Sequence, residues 1–220
     1  MKEFDELLKT IRTLRGPGGC PWDRVQKIYN MKSYLLEEMY ELFDGIDQKE
    51  IDIVREEIGD IILILIVMSE MFKEKGLFDI KDSLSLINQK LIARHPHVFS
   101  SKESKTKDKI LQIWIKNKAK SKKRKNVSDR LPKTAPALAL RYLLLKEQSH
   151  LERNSKKKLS SKNINKDILL KGKELETESD KKAILCDLLA LICEYGFSMN
   201  LDLEPDFRKS TINAAKKVKY

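Results

Sequence analysis

Ile61 to Met68 is an unbroken run of eight apolar residues in a 220-residue chain of which 35% is charged. Eight residues fall well short of the roughly 20 that span a bilayer. The periodic segment around them, from Asp47 to Gly76, has the length of a helix. A helix that is apolar on every side has to be covered all round, so the run belongs in the middle of a bundle, at a contact between two copies of the chain, or both. Only 8 Gly and 6 Pro are available, too few for the frequent turns of a β-sandwich or barrel. No segment sustains period-two alternation between turns. The expected fold class is all-α, a helical bundle.

The remaining elements follow from spacing. Phe4, Leu7, Leu8, Ile11 and Leu14 form one apolar face of a first helix that stops at Gly16. Gly16 to Pro21 holds too many breakers for a regular element, and Trp22 after it reads as a core anchor. Met31, Tyr34, Leu35, Met39, Leu42 and Phe43 keep helical spacing, with Asp44-Gly45 as the expected stop. Asp47 and Glu50 have the spacing of a capping box for the next helix, so the two helices are antiparallel neighbours. Asp79 with Asp82 caps another helix that ends before Pro96. A further helix is expected over Thr106 to Lys120, carrying Ile110, Ile113 and Trp114.

The formal charge of +11 is uneven. Residues 1–100 carry 14 basic against 18 acidic side chains, a balance of −4, and the other 120 residues carry +15. Much of the excess is the run from Lys116 to Lys125. With no aromatic beyond Trp114 interleaved, it reads as a solvated helix end and linker, and nucleic acid is a possible but unfavoured partner. Met1 to Lys9 alternates charged and apolar residues with no leader-like apolar stretch. Cys20, Cys186 and Cys193 are an odd number without CxxC spacing. A cytoplasmic location without membrane contact is expected. Zinc is not: Cys20, His95 and His97 match no standard ligand spacing.

Glu37, Glu38 and Glu41 sit on one predicted helix, the i, i+3, i+4 spacing placing Glu41 on the face of both others. Glu57 and Asp60 repeat the i, i+3 spacing on its antiparallel partner. Leu35, Leu36 and Leu42 surround the first set, and Ile58, Ile61 and Ile62 the second. Carboxylates set into apolar faces repel one another and resist desolvation. A hard divalent cation with oxygen ligands, Mg²⁺ above all, resolves that repulsion. The alternative is a pair of acidic faces bridged to Lys and Arg across the bundle.

The pattern EExxE, fifteen residues, then ExxD is similar to the motif of the MazG nucleoside triphosphate pyrophosphohydrolases, in the all-α NTP pyrophosphatase superfamily. Four stretches resemble the same family in order: Gly19-Cys20-Pro21-Trp22-Asp23, Tyr34 to Glu38, Glu57-Ile58-Gly59-Asp60, and Lys90 to Phe99. The likeness spans about residues 4–120. It implies Mg²⁺-dependent cleavage of a nucleoside triphosphate between its α and β phosphates, giving monophosphate and pyrophosphate. Carried over, Glu38, Glu41, Glu57 and Asp60 bind the metal, and Lys90 and Arg94 bind phosphate. Glu37 or Glu56 accepts the proton of the attacking water, and the sequence does not choose between them. Trp114 either stacks on the base or is a packed indole. A homodimer is expected. The rival from another class is a nucleic-acid-binding helical protein whose acidic helices are structural.

Longer members of that family carry two copies of the module, and a weak internal repeat is present. Ile184 to Leu189 can be laid on Glu57 to Ile62, and Leu170, Lys171 and Glu174 on Glu37, Glu38 and Glu41. Too few carboxylates remain there to hold Mg²⁺. The expected organisation is a catalytic module at 1–120, a basic linker at 121–135, and a degenerate, non-catalytic helical module at 136–220. Cys186 and Cys193, seven apart on its apolar helix, read as inert thiols.

Overall fold

The structure, a computed structural model, describes residues 1–100, 106, 109–110, 126–152 and 161–217. Among these every regular element is helical, as the composition requires. They divide into two compact units, residues 1–105 and 106–220.

The first unit contains α1 (Lys2–Arg15), α2 (Pro21–Val25), α3 (Met31–Gln48), α4 (Ile51–Lys73), α5 (Ile80–Arg94) and α6 (Pro96–Phe99). Its centre is the α3/α4 hairpin. Met31, Ile64 and Met71 are buried together, with Ile28, Tyr34, Leu35, Val67 and Met68 packed around them. The apolar run therefore does enter the core, through Ile64 and Ile66. It is not covered all round within this unit, because Ile58, Ile62 and Leu65 form a stripe on α4 that stays exposed.

The hairpin turn differs from the sequence expectation. α3 does not stop at Asp44-Gly45 but continues to Gln48, and Lys49 closes it in the left-handed region at φ 61°. Asp47 lies inside α3, and Glu50 is the residue that precedes α4, without a side-chain cap. Gly45 has a packing role instead: a Cβ there would come within 2.8 Å of Ile53 Cγ2. The glycine lets α4 approach α3 closely where the hairpin closes. At α5 the expected capping box is present, with Asp79 accepting from the Asp82 backbone and Asp82 accepting from that of Asp79.

α1 is fastened to α4 by two bidentate ion pairs. Arg12 donates from Nε and Nη2 to the two carboxylate oxygens of the buried Glu70, each at 3.0 Å. Arg15 does the same to Glu74 at 2.8 Å, and its Nη1 donates to the Asp23 carbonyl at 2.6 Å. That last bond ties the glycine-rich loop to the same anchor. The loop is less irregular than expected, since α2 begins at Pro21, the favoured first position of a helix. Trp22 is not a core anchor. Its side chain is 57% exposed, and its ring lies 6.2 Å from that of Tyr34 on α3.

The second unit contains a 3₁₀ turn (Val127–Arg130), α7 (Ala137–Glu152), α8 (Ser161–Thr177), α9 (Lys181–Ser198) and α10 (Leu203–Ala215). α8 and α9 form a second hairpin, against which α7 packs through α9. Leu145, Ile164, Ile184 and Cys193 are buried. Burial pushes the Cys193 thiol up, which fits an inert role, whereas Cys186 is exposed. The basic run from Lys116 to Lys125, Ile113 and Trp114 lie outside the described residues.

Candidate metal centre

Two facing helices bring three of the singled-out carboxylates together. One ligand oxygen each from Glu38 and Glu41 on α3 and Glu57 on α4 lies within 4.8 Å of the others. The turn at Lys49 and the close approach at Gly45 set this register. Glu41 lies one helical turn before Gly45, and Glu57 one turn after Ile53. Burial is graded across the trio: Glu41 is exposed, Glu38 half-buried, and Glu57 only 6% exposed. Glu57 Oε2 is buried and has no hydrogen-bond partner.

A buried, unpartnered carboxylate oxygen is costly unless something compensates it. Burial pushes the Glu57 carboxyl above the usual range, and a side-chain hydrogen bond with Glu38 and the charges of Glu38, Asp60 and Glu56 push it further. Glu41 is raised first by the charge of Glu57, then by burial and by Glu37, Asp60 and Glu56. Asp60 therefore stands outside the close trio but inside its field. Glu37 and Glu56 are both exposed at the rim. Ion pairs of this unit include Arg12–Glu70, Arg15–Glu74 and Arg55–Asp52, none of which involves the trio.

The donor set is all oxygen, clustered and under mutual repulsion, which suits a hard divalent cation. The unpartnered Glu57 Oε2 supports the fit, as a carboxylate oxygen already removed from water on one of the three clustered residues. Lys90 and Arg94 are half-buried, one turn apart on α5, which packs against α4. Trp114 lies outside the described residues. Sequence reasoning missed the Arg12–Glu70 and Arg15–Glu74 clamps, although Arg12 and Arg15 at i, i+3 and Glu70 and Glu74 at i, i+4 were visible as complementary stripes.

Comparison with known proteins identifies the family. Residues 26–99, which hold the whole hairpin and α5, match the MazG nucleotide pyrophosphohydrolase domain. The chain is 33% identical over 213 residues to the nucleoside triphosphate pyrophosphohydrolase/pyrophosphatase MazG of Thermotoga maritima, covering 94% of this chain and 81% of that protein. It is 36% identical over 142 residues to the Escherichia coli nucleoside triphosphate pyrophosphohydrolase, covering 63% of this chain and 54% of the relative. With the Bacillus subtilis protein YabN it shares 38% over 139 residues, 62% of this chain but 28% of that longer protein. A crystal structure of a MazG-related protein from Thermotoga maritima is 23% identical, with a TM-score of 0.46 over 54% of this chain and 98% of that one. On the strength of the Thermotoga relative, matched along nearly the whole of this sequence, the chain belongs to the MazG family.

Proposed function

We propose that the chain hydrolyses nucleoside triphosphates to monophosphate and pyrophosphate in a Mg²⁺-dependent reaction, using the first unit. The observation that carries this reading is the trio Glu38, Glu41 and Glu57, which bring one oxygen each within 4.8 Å of the others, together with the buried, unpartnered Oε2 of Glu57. Family membership and the names of the relatives support the substrate class. Glu38, Glu41, Glu57 and Asp60 are the residues that would hold Mg²⁺. When bound, such an ion offsets polyphosphate charge and lowers the pKa of an attacking water.

The chain's own residues divide the remaining work. Burial fixes Glu57, so its position depends little on solvent and sets where the other carboxylates converge. Glu37 and Glu56, exposed beside the trio, are the candidates to accept the water's proton. Lys90 and Arg94 share one face of α5 and supply charge-assisted hydrogen bonds to phosphate oxygens. Trp114 is retained as a candidate for contact with the base.

The exposed apolar stripe Ile58, Ile62 and Leu65 is the reason to propose a homodimer paired through α4, since such a stripe on a soluble module marks an interaction surface. Leu65→Glu should convert the dimer to monomer in light scattering. No single described helix is long and apolar enough to cross a membrane, and a cytoplasmic site of action is proposed with the substrate class. The reading is tested with Glu38→Gln and Asp60→Asn. Each is nearly isosteric and should abolish turnover while leaving the melting temperature unchanged or higher. A metal-free variant that melts far below the parent would point to a structural role for these carboxylates. Salt-dependent binding to random duplex without turnover would favour the nucleic-acid reading.

A further inference from the structure

The second hairpin repeats part of the burial pattern of the first. Moving 127 residues along from α4 leads into α9: buried Glu57, Ile66 and Ser69 fall on buried Ile184, Cys193 and Gly196. The exposed stripe Ile58, Ile62 and Leu65 falls on Leu185, Leu189 and Ile192, which are also exposed. Asp60 falls on Asp187. On the preceding helix, Glu38 and Glu41 correspond to Lys171 and Glu174 at a spacing of 133. Each hairpin is followed by a helix with an aspartate N-cap, Asp79 in one unit and Asp202 in the other.

The charges at the corresponding place are arranged differently. Lys171 Nζ lies 2.8 Å from Glu174 Oε2 and 3.2 Å from Asp187 Oδ2, so a single ammonium bridges α8 and α9. The buried position of Glu57 is taken by the apolar Ile184. A cleft of about 410 Å³ opens here, lined among others by Asp167, Lys171, Glu174, Asp187 and the ion pair Arg141–Glu194. Hydrogen bonds to Glu174 and then Asp187 raise the Lys171 pKa, against desolvation, so the amine stays charged at neutral pH.

We propose that Lys171 is a built-in counter-ion: its ammonium occupies the place of a divalent cation in the second hairpin, so that this unit holds its carboxylates together without metal. The chemistry follows from the side chains present. An ammonium neutralises repulsion between Glu174 and Asp187 but has no vacant ligand position at which a water could be bound and acidified as on a metal ion. Four carboxylates against two cations leave the cleft acidic, which repels a polyphosphate that arrives without metal. The unit thus keeps the hairpin and loses the cation. The correspondence with the first hairpin rests on reading that hairpin as a metal centre, but the test is made on the second unit.

The test uses the full chain carrying Glu38→Gln and Glu57→Gln, which removes the first-unit donor set, and titrates it with Mn²⁺ alone by calorimetry and electron paramagnetic resonance. This parent should bind no Mn²⁺ at millimolar concentration. Adding Lys171→Glu places a third carboxylate with Glu174 and Asp187 and should bring Mn²⁺ binding at least tenfold tighter than the parent, with a melting temperature that rises on adding Mn²⁺. Lys171→Met keeps the stem without the charge and covers the case in which Lys171→Glu does not fold; it should also bind Mn²⁺ more tightly than the parent. Mn²⁺ binding by the parent with Lys171 intact, or no gain in either variant, overturns the proposal. If instead the first unit holds no metal, the unmodified chain and the Gln double variant bind Mn²⁺ equally poorly, and the Lys171 comparison still decides the proposal.

Discussion

Replacing Gly45 by alanine tests whether close approach of α3 and α4 builds the carboxylate site. The new Cβ would stand 2.8 Å from Ile53 Cγ2 and 3.3 Å from both Ile53 Cβ and Val54 Cγ2. Ordinary contact needs about 3.5 to 4.0 Å, and both neighbours are β-branched and stiff at χ1. The hairpin therefore has to open by a few tenths of an ångström or more. Overpacking of this kind costs about 1–3 kcal/mol, while alanine in a helix interior returns about 1 kcal/mol relative to glycine. The net expectation is a loss of about 1 kcal/mol, or roughly 4–8 °C in melting temperature for a unit of this size. Because Glu41 and Glu57 flank this contact, the Mg²⁺ concentration for half-maximal turnover should rise as well. Gly172→Ala on α8 is the matched control: its Cβ would meet nothing within 4 Å, so the same substitution should stabilise by about 1 kcal/mol. The two variants are compared by calorimetry. A rise in melting temperature for Gly45→Ala with unchanged Mg²⁺ dependence would refute the claim that this glycine sets the approach of the helices.

Arg12→Met should destabilise the first unit by about 2 kcal/mol, because it strands the buried Glu70; the figure is discounted because the Arg12 side chain is 42% exposed. Denaturant unfolding checks it, and the added change Glu70→Met should restore most of the loss. The metal-free protein should become less stable as pH rises from below the usual carboxylate range through the raised values of Glu57 and Glu41. The sign follows because the folded state holds protons there that the unfolded state has already released. Glu57→Gln should flatten that pH dependence in thermal melts, and saturating Mg²⁺ should reverse it. Asp187→Asn should leave turnover per chain nearly unchanged, whereas Glu41→Gln should abolish it. A folded Asp187→Asn protein that loses most of its activity would contradict a single working site.

The parts of this molecule that were legible in the sequence are those encoded by spacing within one helix. Glu38 and Glu41 share a face because they are three residues apart, and Glu57 faces them because a short turn makes α3 and α4 antiparallel. Asp79 and Asp82 announced their capping box in the same local way. What spacing did not carry was the meaning of a residue set by its neighbours in space. Gly45 looked like a helix stop, but its function is to admit Ile53, and the stop came later at Lys49 in a left-handed conformation that lysine seldom adopts. Asp47 and Glu50 had capping-box spacing, yet the helix they should have opened starts after them. Trp22 looked like core because it is large and apolar, but the five-residue α2 holds it at the surface beside Tyr34. The pairing of Arg12 with Glu70 joins residues 58 apart in sequence, which no local pattern specifies.

Product analysis after incubation of the purified chain with each nucleoside triphosphate and Mg²⁺ tests the central claim most directly, with pyrophosphate and orthophosphate quantified separately. The account requires monophosphate and pyrophosphate in equal amounts, no early orthophosphate, and loss of both products with Glu57→Gln or with chelation of the metal. Release of orthophosphate with a nucleoside diphosphate, or turnover that survives Glu57→Gln in a folded protein, would contradict it.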